Sequence, residues 1–544
     1  MDTSRPEAPE VAPASAPGTN ETLLFWACFA SIVATAFGFI VRSQIVGDWA
    51  REYHLSATQV GSINGVGLWP FAISIVLFSL IIDRIGYGIA MGFAFLCHIT
   101  SAVLTILTPM LVKGDAQAFN LLYFSTFILA LGNGTVEAVA NPVVANLFPR
   151  EKTKYLNMLH AGWPGGLVLG GIIAISMGKI GWQYKVGLIF LPVVTYAVLM
   201  LGRRFPVSER VTAGVSFKAM LREVGVIGAA IITAMIVRQI GDVFELSNPV
   251  QIALWAAVVL AYGFYINFAL GQPMFILLMI IMIPLATTEL GTDSWITPLM
   301  EPETVRLGQS MGLKGVELSG GWVLVYTSLI MLVLRFFAGP IVHKLSPLGL
   351  LATASLIAAC GLLFLSVSTG LTILLAATLY GLGKAFFWPT MLGVAAEQFP
   401  KGGALTLNTL GGLGMLAVGV LGAPFQGFIQ DTKVDRDLKA KDPVVHEQVI
   451  KAPEPSIFGR YQAVDTDKVK ALPEAGQAEV TSIQDASKRN VLVVTAIFPC
   501  LMLVCYLGLI AYFRSRGGYK PQMIISDKEE ALLMTGGATG PAEF

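Results

Sequence analysis

A few ionisable side chains stand inside long apolar stretches of this sequence. A charge at such a place costs several kcal/mol unless it is paired, protonated or hydrated. Glu137 is one; a carboxyl held there can take up and release a proton, or serve as a structural partner for Arg42. Arg42, in the first apolar stretch, can reach across to Glu137 or extend its stem to the membrane interface. Glu289 and Asp293 are four residues apart and so share one helix face. They can hold a proton between them, offer oxygen ligands to Na⁺, or merely hydrate a vestibule. Lys384 and Trp388, also four apart, combine a hydrogen-bond donor with a ring that can stack. Trp163, Trp322 and Tyr326 are further aromatics for a cavity wall, although a single aromatic more often packs or anchors a helix. Arg238 and Asp242 suit a structural i,i+4 ion pair. This is chemistry for holding a cation and a polar solute. The sequence has no nucleotide-binding loop, no metal-ligand constellation and no nucleophile–base set. The expectation is therefore no enzyme, and no cofactor beyond a coupling ion, H⁺ or Na⁺.

The elements that carry these residues follow from composition. Of 544 residues, 55% are hydrophobic and 13% charged, about half the charge of a soluble protein. Mean hydropathy is +0.69. Apolar runs occupy residues 22–46, 58–82, 86–109, 119–147, 157–178, 182–201, 224–243, 250–270, 273–299, 321–343, 348–368, 371–397, 405–429 and 491–513. Each is about long enough to cross hydrocarbon as a helix, which predicts an all-α membrane protein of about 14 spans. A net charge of +1 gives no case for nucleic acid; the surroundings are membrane lipid. The five cysteines all lie in apolar runs and read as packing residues.

Alternate loops differ in cations. One set holds Arg84, Arg150, Lys152, Lys154, Arg203, Arg204, Arg210, Lys218, Arg222, Lys344, Lys401, Arg514, Arg516 and Lys520. The other short loops have only Arg51, Lys113, Lys179, Lys185, Arg306 and Lys314. The positive-inside rule makes the first set cytoplasmic, with both termini inside the cytoplasmic (inner) membrane and 431–490 outside. Residues 1–20, rich in Pro, Ala and Glu, read as a disordered tail without a basic leader. The first run then stays in the protein as an anchor. The 431–490 stretch reads as a solvated, partly disordered loop or else as a lid or partner-binding element.

The two ends of the chain repeat one another. LGNGTVEAVANPVVANLFP at 131–149 is echoed by LGKAFFWPTMLGVAAEQFP at 382–400. Gly132 and Gly383, Pro149 and Pro400, and Asn157 and Asn408 all share one offset. A second echo joins Ser79-x-x-x-Asp83-Arg84-x-Gly86 to Gly339-x-x-x-His343-Lys344. The repeat predicts two six-helix bundles, 21–202 and 272–515, in parallel repetition. A linker and an extra hairpin lie between them at 203–271, and a cytoplasmic tail follows at 516–544.

The Asp83-Arg84-x-Gly86 turn resembles the signature loop of the major facilitator superfamily, with Ser79 in place of the leading Gly and Tyr87 in place of a basic residue. In that family the loop's acid and base latch helix ends on the cytoplasmic side. His343 and Lys344 form the degenerate second copy. Glu137-x-x-x-Asn141-Pro142, followed by Leu156-Asn157-x-x-His160, is similar to the fucose–galactose–glucose:proton symporters. The stretch from Glu289 through Asp293 to Ser294-Trp295 is weakly similar to them. That resemblance implies alternating access and a hexose or related small polar solute. It implies that Glu137 takes part in solute binding and proton coupling; the residues themselves allow a proton or a sodium ion at Glu137, helped by Glu289 or Asp293. Solute contacts would come from Arg42, Asn141, Asn157, His160, Trp163, Trp322, Tyr326, Lys384 and Trp388. Asp83, Arg84, His343 and Lys344 would form the gating loops, and a monomer would suffice. The group's usual Asn-Asp pair of the first span is replaced here by Arg42-Ser43. Two other readings fit the residues. An efflux antiporter is suggested by the count of spans and by the loose Gly162-Trp-Pro164-Gly165-Gly166 pattern. A non-transporting sensor would use the 431–490 stretch.

Overall fold

The computed structural model describes residues 19–177, 180–310, 312, 321–522 and 524. Most of both expected tails, and the side chains of Ser294 and Trp295, lie outside the described residues. The first bundle runs α1 (Thr19–Glu52), α2 (Ala57–Val66), α3 (Trp69–Ile85), α4 (Tyr87–Leu111), α5 (Asp115–Leu147), α6 (Lys152–His160), α7 (Gly162–Ser176), α8 (Trp182–Gly187) and α9 (Phe190–Met200). A short helix α10 (Glu209–Thr212) and the hairpin α11 (Phe217–Val243) and α12 (Asn248–Ile266) follow.

The second bundle begins with α13 (Pro273–Ala286), a π-helical turn at Thr287–Gly291, and α14 (Thr292–Ser310). It continues through α15 (Gly321–Phe336), α16 (Ala338–Leu345), α17 (Pro347–Val367), α18 (Thr372–Lys384), α19 (Phe387–Gln398) and α20 (Gly403–Leu416). A second π turn (Ala417–Gly422) leads into α21 (Ala423–Lys441). After α22 (Pro443–Val449), strands β1 (Glu454–Ser456) and β2 (Gly459–Tyr461), and α23 (Thr466–Lys470), the chain returns through α24 (Glu474–Thr495) and α25 (Ile497–Ser515).

Helices dominate because, in hydrocarbon, every backbone group must be satisfied within its own segment. Among the described residues, eleven helices are long and apolar enough to span, and a twelfth if α15 and α16, bent by 69°, count as one. The other two expected runs, 157–178 and 371–397, are broken: α6 and α7 meet at Ala161, and α18 and α19 at Ala385–Phe386. The breaks expose helix termini in the interior, and the site uses them.

The repeat has a packing cause. A Cβ on Gly132 would sit 2.8 Å from the Cβ of Cys97, and one on Gly383 would sit 2.3 Å from the amide of Ala358. Both glycines let neighbouring helices of their own bundle approach closely.

The 431–490 segment, expected as a partly disordered loop or else as a lid or partner-binding element, is folded. Val434, Leu438, Val449, Leu472, Val480 and Ile483 are buried together as a core of their own. Asp442 caps α22 by accepting from the amides of Val444 and Val445, each at 3.0 Å. Arg489 of α24 pairs with Glu303 of α14, tying this small folded segment to its bundle.

Candidate functional site

Where the two bundles face each other, two cavities of about 360 and 650 Å³ lie side by side, sharing Phe71, Trp163, Leu290 and Met415. Glu137, His160, Glu289, Arg335 and Trp388 line the smaller. Arg42, Asn133 and Asp293 line the larger, among Phe39, Gly67, Leu68 and Leu324.

On α5, Glu137 and Asn141 are one turn apart, and the Asn141 amide donates to Glu137 Oε2 at 2.8 Å. The Asn141 carbonyl oxygen faces His160 Nε2 at 2.8 Å, which assigns the proton to that nitrogen. His160 ends α6, and its Nε2 is 4.0 Å from Glu137 Oε2. Among the described residues, Glu137 has no Arg or Lys partner within ion-pair distance.

Glu289 is held differently. It sits on the π turn, 1% exposed. Its Oε1 accepts from Arg335 Nη2 at 2.6 Å, and its Oε2 accepts from the Trp388 amide at 3.1 Å. That amide belongs to the first turn of α19, left open by the break before it; the carboxylate caps it. Tyr380 donates to the Thr288 carbonyl at 2.7 Å and steadies the turn. Asp293, one turn on, pairs with Lys384, which is fully buried. Each of the two carboxylates thus has its own cation, and Asp293 also lines the larger cavity.

Arg335 was not singled out in the sequence. Yet a lone Arg in the run 321–343 carries the same signal as a lone Glu in 119–147. Besides Glu289, it donates from Nε to the Ala385 carbonyl at 2.5 Å and from Nη1 to the His160 carbonyl at 3.1 Å. The residues four positions beyond these carbonyls are Pro389 and Pro164, which have no amide hydrogen to offer. Two other ties between the bundles follow the same rule. Asn408 donates to the Ala138 carbonyl at 3.0 Å, and Lys152 to the Ala396 carbonyl at 3.4 Å. Pro142 and Pro400 stand four residues on. Proline thus vacates an acceptor on one helix, and a long side chain from elsewhere fills it.

Other expected site residues fall as follows. Arg42 neither meets Glu137 nor extends to an interface: it is 6% exposed and lines the larger cavity, where a solute contact was expected. Asn157 lies outside the two cavity linings and donates to Thr390 Oγ1 across the bundles at 3.2 Å. Tyr326 hydrogen-bonds Thr378 at 2.7 Å; neither it nor Trp322 lines the two cavities. Lys384 is turned to Asp293. Trp163 and Trp388 do face the cavities. Asp83 pairs with Arg210 of α10 at 2.6 Å, and Arg84 lies over the Phe217 ring at 5.4 Å. His343 reaches Glu151 at 3.3 Å, and Lys344 is exposed. His98, also not foreseen, is buried between Asn133 (2.9 Å) and Tyr196 (3.1 Å). At the Asp83 end the bundles are further closed by Thr153, whose amide and hydroxyl donate to Glu397.

Comparisons place this geometry. Residues 23–423 match the Major Facilitator Superfamily. A TsgA homologue from Buchnera aphidicola is 26% identical over 36% of this chain and 49% of its own length. A gentisate transporter from Corynebacterium glutamicum is 24% identical over 30% of this chain and 36% of its own. The chain spans about half or less of the length of these curated relatives. Among solved structures, the Escherichia coli fucose:proton symporter superposes with a TM-score of 0.55 at 14% identity, over 89% of this chain and 98% of that one. A proton:xylose symporter gives 0.58 at 14% identity, over 89% and 96%. The human organic anion transporter MFSD10 gives 0.54 at 12% identity, over 89% and 99%. These likenesses are of fold. With the family match over most of its length, the repeated bundles and the cavity between them, this chain belongs to the Major Facilitator Superfamily and is an integral membrane protein.

Proposed function

We propose that the protein is a cation-coupled symporter that carries a small, hexose-sized polar solute by alternating access. The observation that carries this reading is the carboxylate Glu137. It is buried where the two bundles meet, accepts a hydrogen bond from the Asn141 amide and, among the described residues, has no Arg or Lys partner, beside a cavity with aromatic walls. Proton binding at Glu137, or Na⁺ binding there, would accompany solute entry. The paired Glu289–Arg335 and Asp293–Lys384 groups hold the opposite wall. Rocking of the bundles would break the ties at the Asp83 end and expose the cavity there. The positive-inside pattern supports the cytoplasmic membrane, with the Asp83 end and both termini inside. The fold likeness to fucose and xylose symporters supports a sugar-sized solute, and the partial match to a gentisate transporter fits a ring-shaped one.

The test is uptake of labelled hexoses and hexose derivatives into proteoliposomes under an imposed proton or sodium gradient. Wild type is compared with Glu137→Gln. The expected result is gradient-driven accumulation that the variant loses while keeping counterflow exchange. Equal accumulation by the variant would remove Glu137 from coupling.

A further inference from the structure

Resting on that reading, we infer that the solute is an organic monoanion whose carboxylate is received by Arg42, and that it travels with one proton. Arg42 is buried in the wall of the larger cavity. Its guanidinium lies flat over Gly67, where a Cβ would come within 2.2 Å of Nη1. The Phe39 ring lies 5.6 Å away. Its Nε has no hydrogen-bond partner, and among the described residues the side chain has no ion pair. The neighbouring buried cations are all answered, Arg335 by Glu289 and two carbonyls, Lys384 by Asp293. A buried guanidinium left alone is strongly unfavourable. Here it keeps a glycine floor cut to its shape and an open cavity before it. Its planar fork fits a carboxylate through two parallel hydrogen bonds. One unanswered cation suits one negative charge, not a phosphate dianion. The walls around it, Phe39, Phe71 and Trp163, suit a ring, whether of a sugar acid or of an aromatic acid.

The same count explains coupling. Arg42, Arg335 and Lys384 stand against Glu137, Glu289 and Asp293, so the empty site is balanced when all six are charged. A bound carboxylate adds one negative charge. The groups facing Glu137 are Asn141 on its own helix, His160 from α6, and the already paired Glu289 and Arg335 across the cavity. Glu137 is therefore the carboxylate free to take the compensating proton. Anion and proton each favour the other's binding, and together they cross without net charge.

Proteoliposomes with a pH gradient, and membrane potential clamped by potassium and valinomycin, separate the possibilities. The solutes are D-glucuronate, benzoate and D-glucose. Accumulation of glucuronate or benzoate but not glucose is expected, unchanged when the clamped potential is varied; the acid that accumulates identifies the ring. Arg42→Gln and Gly67→Ala, which displaces the guanidinium, should each weaken saturable acid uptake by roughly tenfold to a hundredfold. Arg42→Lys should recover only part, and thermal unfolding of each purified variant reports folding. Proton-driven glucose uptake that is electrogenic and indifferent to Arg42→Gln overturns the anion reading and leaves symport standing. No proton-driven uptake of any of the three by folded protein overturns the anion–proton reading, while sodium-driven hexose uptake by the same protein would leave symport standing.

Discussion

The two bundles occupy equivalent places in a repeat, yet they use charge in opposite ways. At matched positions, Asn133 faces Lys384 in the alignment, Glu137 faces Trp388, and Asn157 matches Asn408. The packing residues persisted: Gly132 and Gly383 both serve close helix contacts, and Asn157 and Asn408 both reach across to the other bundle. The charges did not. The first bundle holds its cavity carboxylate, Glu137, among neutral partners; the second pins both of its cavity carboxylates, Glu289 and Asp293, to cations and seats Glu289 on a π turn. An acid with neutral neighbours can change its protonation without stranding a partner, whereas a paired acid cannot. The comparison assigns titration to one half and rigidity to the other.

The sharpest way to break this contrast is at Arg335. Arg335→Ala leaves Glu289 buried without its cation and should cost about 3–5 kcal/mol, enough to lose folded protein, read by thermal unfolding in detergent. Arg335→Met with Glu289→Leu should regain part of that stability while remaining inactive. If Arg335→Ala is as stable as wild type, the second bundle is not held by its ion pairs. Glu137→Gln, by contrast, should leave the unfolding temperature nearly unchanged, since the amide keeps a carbonyl oxygen for Asn141, yet abolish uphill accumulation. A large loss of stability there would make Glu137 a scaffold residue too. Asn408→Ala removes one tie and should cost roughly 1 kcal/mol. Its clearer sign is faster labelling of cysteines placed near Thr390, as the closed end opens more often. The smallest effect is expected outside the bundles. Asp442→Ala should loosen α22 by about 0.5 kcal/mol or a little more, visible as faster proteolysis of the 431–490 segment with transport unaltered.

The spans, the repeat and most of the lone charges could be read from the chain. An apolar run, a repeated Phe-Pro and a glutamate in hydrocarbon leave local marks. What escaped was relational. Glu289 and Asp293 are visible as a pair of acids, but their cations lie 46 and 91 positions away in sequence. Arg335 stands close to the polar end of its run, where snorkelling is the ordinary outcome. The 69° bend between α15 and α16 follows it directly, and its side chain turns inward. Arg42 was legible as an anomaly, but the glycine opposite it was not. In the 431–490 segment, the abundance of charge hid apolar residues at helical spacing, such as Val434 with Leu438 and Val480 with Ile483. Six buried side chains there suffice for a core once α21 and α24 extend beyond the bundle to frame it.

The proline-vacated carbonyls have a consequence for how this sequence can drift. An acceptor made of main chain has no identity of its own, so as acceptors residues 138, 160, 385 and 396 place no demand on their side chains, although His160 keeps a separate role at Asn141. What must be kept is the donor on one helix and the proline four residues beyond the acceptor on another. Arg335 should therefore covary with Pro164 and Pro389, Asn408 with Pro142, and Lys152 with Pro400, across homologues in which the residues that receive those hydrogen bonds have diverged.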